Sequence, residues 1–202
     1  DEVSNACEYF GKTENYPEDY TYDEIYNLNL GENFKNQDGE TPYKGLRGDN
    51  IPDNLRALTV EDALNYVESC GKYYYTIEIK NSGDKGREAA DKLYSTLKQF
   101  NAVERTVVGT FHNEVTAYLD TTYPDLPRSA GFNEVIEFYI YSLLNLPVKD
   151  GKFHFVALQI PPERSVLNLS TTRLINYAHK NDIAVQYWTI NEADEMALLQ
   201  QN

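Results

Sequence analysis

The sequence predicts an α/β domain with a parallel sheet. Strand-like runs recur about every 25–40 residues, and a stretch of helical period lies between each pair of runs. No G-x-G-x-x-G follows a strand, so the dinucleotide-binding version of such a sheet has no support. Five strands are legible, a number that fits both a doubly wound sheet and a (β/α) barrel.

Residues 1–58 are polar and rich in Tyr, Asn, Asp and Gly, and read as a loop-rich segment of the same domain. One helix signal stands there. Thr21-Tyr22-Asp23-Glu24 has capping-box spacing, with Tyr22, Ile25 and Tyr26 as its apolar positions. Gly39 to Asp53, with Pro42 and Pro52, reads as loop.

Residues 59–202 read as βα repeats. Thr59 caps a helix whose apolar positions are Val60, Ala63, Leu64 and Val67. A strand follows from Tyr73 to Lys80, then a helix with Ala89, Leu93, Leu97 and Phe100 on one stripe. The strand Thr106–Phe111 precedes a helix from Asn113 to Asp120. Leu126 to Ala130 reads as a short strand. Gly131 to Leu144 is an amphipathic helix through Phe132, Val135, Ile136, Tyr139, Ile140 and Leu143. The strand Phe153–Ile160 leads to a helix opened by Ser170. Ala184 to Ile190 is the last strand, and Asn191 caps a helix through Met196 and Leu199.

Composition narrows the function. The chain has 202 residues, 41% of them hydrophobic and 13% aromatic, enough for a sizeable core. The formal charge of −14 disfavours a nucleic-acid backbone as partner. No apolar run approaches the ~18 residues of a membrane span. Cys7 and Cys70 are too few and too far apart for a zinc site or a disulfide scaffold; a single bridge stays open, and the cell compartment with it. The chain starts at Asp1 and its one methionine is Met196, as expected of a processed chain or a cut piece whose targeting signals lie out of view.

The informative run is Tyr75-Thr76-Ile77-Glu78-Ile79-Lys80. Alternation puts Tyr75, Ile77 and Ile79 on one face and Thr76, Glu78 and Lys80 on the other. Two opposite charges thus stand at the C-terminal end of a strand that otherwise reads as buried. They are either a structural ion pair or a site.

These residues, continued to Asn81, resemble the "IEIK" strand of glycerophosphodiester phosphodiesterases. Val107-Val108-Gly109-Thr110-Phe111 is similar to the family's next strand. Ala157-Leu158-Gln159-Ile160-Pro161 looks like a later one, and Val185-Gln186-Tyr187-Trp188-Thr189-Ile190-Asn191 resembles the "V-x-x-W-T-V-N" strand. Thr21 to Phe34 resembles the segment after the family's second catalytic histidine. The resemblance implies a (β/α)₈ TIM barrel that hydrolyses glycerophosphodiesters to glycerol phosphate and an alcohol. It makes Glu78 a ligand to a divalent cation, calcium or magnesium, and Lys80 a contact to the phosphate. Phe111, Gln159 and Trp188 would line the substrate pocket.

The departures matter too. The family's His-Arg-Gly and His-Asp motifs, which carry its acid and base, do not occur, nor does the acidic pair of its second strand. The chain then corresponds to an incomplete barrel of about five strands, with the first, second and eighth absent. Such a piece is expected to be inactive or nearly so, with unpaired edges at Tyr73–Lys80 and Ala184–Ile190 prone to self-association unless another chain or residues 1–58 cover them. The alternative is a catalytically silent barrel that binds phosphate-bearing ligands or a partner chain. A carboxylate-pair glycosidase needs a second inward acid at a strand end, and the five strands offer none. Among the three histidines, His112 follows the strand ending at Phe111 and reads as a loop residue near the mouth. His154 reads as structural, and His179 suits the negative end of its helix. Asn168-Leu169-Ser170 matches a glycosylation sequon, but Ser170 is explained as a helix cap.

Overall fold

The computed structural model describes residues 4–164 and 167–200. The chain divides into two units, Asp1–Ser69 and Cys70–Asn202. The helix that Thr59 opens reaches the boundary between them in the sequence. It spans Val60–Cys70, and all but its last residue lie in the first unit.

In the first unit, α1 spans Ala6–Phe10, α2 Tyr22–Tyr26 and α3 Val60–Cys70. The predicted capping box is present: the Thr21 side chain accepts from the Glu24 amide, and Glu24 accepts from the Thr21 amide at 2.8 Å. Thr59 caps α3 by accepting from the Asp62 amide at 3.0 Å. Only Leu64 of the expected α3 stripe is buried, and Val60 is exposed. The intervening loops are held by Asn29, fully buried, whose amide donates to the Tyr43 carbonyl at 2.8 Å and to Glu32 at 3.0 Å. Glu32 in turn accepts from Arg47 at 2.7 Å. Gly31 permits this packing, because a Cβ there would stand 3.1 Å from both Leu55 and Tyr43.

The second unit is mixed α/β, built on short parallel pairs. β1 (Tyr75–Glu78) pairs with β2 (Thr106–Gly109), with Glu78 opposite Gly109. The next segment is shorter than the strand expected at Leu126–Ala130. It makes isolated parallel bridges, Arg128 to Val108 and Ser129 to Ala157. β3 (Ala157–Ile160) and β6 (Ala184–Tyr187) form the second pair, with Gln159 opposite Gln186. Five backbone segments thus follow one another in parallel and in chain order. Among the described residues, β1 pairs only with β2 and β6 only with β3. β4 (Glu163–Arg164) and β5 (Leu167–Asn168) pair antiparallel between β3 and the next helix, where no strand was expected.

Helices occupy each interval: α4 (Gly83–Gln99), α5 (Asn113–Thr122), α6 (Phe132–Leu144), α7 (Thr172–Lys180) and α8 (Ala193–Leu199). Three local expectations are corrected. α7 is capped by Thr171, whose side chain accepts from Leu174, because Ser170 is held by the Asn168 side chain at 2.9 Å. The N-cap of α8 is Glu192, not Asn191. α6 buries Phe138 and Ser142, while Phe132, Ile136, Ile140 and Leu143 of the expected core stripe are 39–47% exposed. The core beneath β3 gathers Phe138, Phe155, Leu158, Ile160, Leu174 and Tyr177. Phe155 packs on Phe138, 5.6 Å between rings, and so does not share the face of Gln159; strand alternation begins only at Ala157. Neither Cys7 nor Cys70 is in a disulfide. No described helix is long and apolar enough to cross a membrane.

Candidate functional site

The C-terminal ends of the parallel segments meet at a cavity of about 420 Å³, the end at which open and closed parallel α/β sheets place their sites. All five residues singled out from the sequence line it: Glu78, Lys80, Phe111, Gln159 and Trp188. Each stands at or just beyond a strand end, because β1, β2, β3 and β6 run in one direction and nearly in register.

Glu78 and Lys80 form an ion pair, Nζ to Oε2 at 2.6 Å. Their side chains are 35% and 75% exposed, so the deeply buried carboxylate anticipated for this strand is absent. Strand alternation places both on the cavity side, while Ile79 is buried on the other face. His112 stands next to the cavity, its Nε2 3.0 Å from the Lys80 carbonyl, and tethers the end of β1 to the start of α5. His154 and His179 are exposed and take no part in the cavity lining.

Gln159 donates to the Gln186 side chain at 2.8 Å, linking β3 to β6 across the floor. Its other amide atom explains Gly109. A Cβ on Gly109 would sit 2.5 Å from Gln159 Oε1, so the backbone of β2 and this amide approach as closely as only glycine permits. Trp188 stands edge-on to Phe111, ring centroids 5.8 Å apart. A further wall comes from α6, through Phe132, Val135, Ile136 and Tyr139.

A positioning element escaped the sequence reading. Arg128, 3% exposed, makes paired bonds to Asp120 (2.6 and 2.6 Å) and Glu134 (2.7 and 2.9 Å). Burial alone would lower its pKa, but the bonds to Asp120 and Glu134 outweigh that and hold the guanidinium charged. Glu134 also accepts from the Gly131 amide at 2.7 Å, closing the first turn of α6. Arg128 therefore clamps α5, the 128–129 segment and α6 around Ser129, which lines the cavity. The available signal was a lone arginine in a short apolar run, Leu126 to Ala130.

Among the described residues, no group of three or more His, Cys, Asp or Glu side chains stands ready to hold a metal ion. Glu78 is the one acid of the cavity lining, and its Oε2 faces the Lys80 ammonium.

No protein-family model and no curated protein matches this chain. Solved structures do. A glycerophosphodiester phosphodiesterase from Parabacteroides distasonis ATCC 8503 superposes on 89% of the chain, with a TM-score of 0.56 and 15% identity. A protein assigned as a glycerophosphoryl diester phosphodiesterase from Silicibacter pomeroyi DSS-3 also matches 89%, with a TM-score of 0.57 and 16% identity. The match covers 63% and 61% of those chains. At this identity the likeness is one of fold: the chain has the fold of these phosphodiesterases over most of its length.

Proposed function

We propose that this chain carries the substrate-facing part of a phosphodiesterase site that cleaves glycerophosphodiesters to glycerol phosphate and an alcohol. The five parallel segments are then consecutive βα steps of a (β/α)₈ barrel. The observation that carries the reading is the Glu78–Lys80 pair at the end of β1, opening on a cavity walled by Phe111, Gln159 and Trp188. The shared fold supports it.

The chemistry follows from the geometry. A phosphodiester is a monoanion, and Lys80 offers an exposed ammonium that exchanges Glu78 for a phosphate oxygen without a large desolvation cost. Gln159 and Ser129 offer hydrogen bonds to a polar arm of the substrate. Phe111 and Trp188 give one side of the cavity an apolar aromatic wall. For a divalent cation, Glu78 is proposed as one donor. One carboxylate does not make a site for a hard cation that takes six or more oxygens.

One observation favours a second reading, a silent binding module. Among the described residues, no histidine lines the cavity and its one acid is paired, so the lining offers no free carboxylate or imidazole as general acid or base. Such groups typically contribute ~10²–10⁴-fold, and turnover by this 202-residue chain is accordingly expected near background. Calorimetric titration with glycerophosphocholine, with and without calcium or magnesium, tests the shared part. Lys80→Ala should weaken binding ~10–100-fold, the loss of one charge-assisted contact. Glu78→Gln should abolish any gain from the cation. Binding that is indifferent to Lys80→Ala refutes both readings; release of glycerol phosphate above background decides for the hydrolase.

A further inference from the structure

A second concavity, of about 470 Å³, lies between the last turn of α6 and the flank of α7, and shares no lining residue with the cavity at the strand ends. Its α7 side is a stripe of Arg173, Asn176 and Lys180, at spacings of three and four and all exposed. Its α6 side carries Leu143 and Leu144, 44% and 64% exposed, and Asn145, which ends the helix in the left-handed region. Among the described residues, no acid lines it. The charge of the chain is unevenly spread. The first unit holds sixteen acids and five bases, whereas the second holds sixteen acids and thirteen bases and is close to balance. Around the groove the balance tips to positive. α7 contains no acid, and the two acids of α6 are engaged elsewhere, Glu134 by Arg128 and Glu137 by Lys152. Arg173 and Lys180 form no ion pair among the described residues. Helix electrostatics accounts for only one of them. Lys180 suits the negative end of α7, but Arg173 stands in the first turn, where the dipole opposes a cation. A bond to the Leu143 carbonyl at 3.2 Å holds it there and uses one of the five N–H groups of its fork.

We propose that this groove binds an extended acidic segment of a partner protein, with two carboxylates three residues apart meeting Arg173 and Lys180. The inference is independent of the phosphodiester reading. Seven residues of helix set the two cations about 10.5 Å apart along α7. A polyproline II chain, with three residues per turn and a rise of ~3.1 Å, returns to the same face every ~9.3 Å, and so presents side chains i and i+3 together. A β-strand sends those two to opposite faces. The side-chain amides of Asn145 and Asn176 have no partner among the described residues, and each offers donors and an acceptor to the unpaired backbone of such a chain. Leu143 and Leu144 offer apolar contact to its spacer residues. A nucleic acid fits less well, since two cations on a chain of charge −14 give little to a polyanion.

Fluorescence anisotropy tests this with three dye-labelled peptides in low salt: Gly-Glu-Pro-Pro-Glu-Gly, its isomer Gly-Glu-Glu-Pro-Pro-Gly and the neutral Gly-Gln-Pro-Pro-Gln-Gly. The first should bind saturably and weaken as salt is raised. The isomer, which can pair only one carboxylate at a time, should bind about fivefold more weakly, the upper end for one exposed ion pair, and the neutral peptide more weakly still. Lys180→Gln should cost the first peptide the same factor and erase its advantage over the isomer. Arg173→Gln should do likewise, with folding checked by circular dichroism because Arg173 also holds the end of α6. Lys180 bonds to no other described residue, so its variant decides the matter even where the arginine variant unfolds. Equal affinity for the two acidic peptides, or indifference to Lys180→Gln, overturns the proposal. Loss of peptide binding in Lys80→Ala places the peptide in the cavity at the strand ends and overturns it too. So does an oligothymidylate that displaces the peptide and itself depends on Lys180. A salt-sensitive dimer that Lys180→Gln dissociates, with no peptide bound, assigns the groove to the acidic first unit of a second copy and equally overturns it.

Discussion

Replacing Arg128 by methionine should be among the most damaging changes in the second unit. The guanidinium is 3% exposed and makes four bonds to two carboxylates, plus one to the Ser129 carbonyl at 3.0 Å. Its loss leaves Asp120 and Glu134 facing each other without a counter-charge. Breaking a fully buried pair costs ~3–5 kcal/mol. Here the carboxylates retain 30% and 26% exposure, so water relieves part of the penalty. The lower end, about 3 kcal/mol, is expected, which lowers Tm by roughly 6–12 °C for a domain of this size. The triple change Arg128→Met, Asp120→Asn, Glu134→Gln removes all three charges and should recover most of that loss, because no unpaired ion remains. Thermal melts of the three proteins, wild type, single and triple variant, at neutral pH measure this. A single variant within about 1 kcal/mol of wild type, or a triple variant no better than the single, refutes the clamp.

Three further outcomes follow from the same kind of reasoning. In the first unit, hydrogen bonding from Arg47 holds the Glu32 carboxyl below its usual 4.5, against the opposing pull of burial. Its contribution is present above that value and is lost as pH falls through the lower folded value, so acid melts of Glu32→Gln should show a flatter pH dependence below about 4.5. In the second unit, the hydrogen bond to Asp91, together with burial, pushes the Tyr123 phenol up to about 12. Between 10 and 12 the folded chain keeps a proton that the unfolded chain releases. Stability should therefore fall with rising pH across that window, and Tyr123→Phe should remove this component, read by alkaline melts and phenolate absorbance. Gly109→Ala drives a methyl into the Gln159 amide, breaks its 2.8 Å bond to Gln186, and should weaken glycerophosphocholine binding about tenfold. An unchanged affinity would show that this amide is not part of the site.

Much of the second unit was legible because its strands carry strong alternation and its helices lie between them at regular intervals. The boundaries were less so. β1, β2, β3 and β6 are each four residues, shorter than the runs that announced them, because ladder pairing stops where the chain turns into the cavity rim. The face of α6 was misread for a physical reason. Nine of its residues are apolar and only Asn133, Glu134, Glu137 and Ser142 are polar, so periodicity has little contrast to work with. Burial then follows the aromatic packing of Phe138 on Phe153, Phe155 and Tyr177. The antiparallel β4–β5 pair left no alternation to see, being two residues on each side.

The candidate site was legible where it depended on motif and invisible where it depended on partners. Lys80 and Arg128 are both cations in short strand-like runs; the Glu78-x-Lys80 motif marks the first, but nothing along the chain tells which of the two is sealed by distant partners. The structure separates them by exposure and satisfaction. Arg128 is sealed and fully bonded to two carboxylates, so it holds the scaffold and has no valence left for a ligand. Lys80 is 75% exposed with one acidic partner that is itself 35% exposed. An ion pair that open contributes ~0–1 kcal/mol to folding. Stability therefore gives little reason to place two charges at the end of β1, beside an apolar wall. An anionic ligand does, since it turns a weak surface pair into a desolvated contact at the moment of binding. For that reason the Lys80→Ala chain should melt within about 1 kcal/mol of wild type while losing its ligand. A large loss of stability in that variant would return the pair to a structural role.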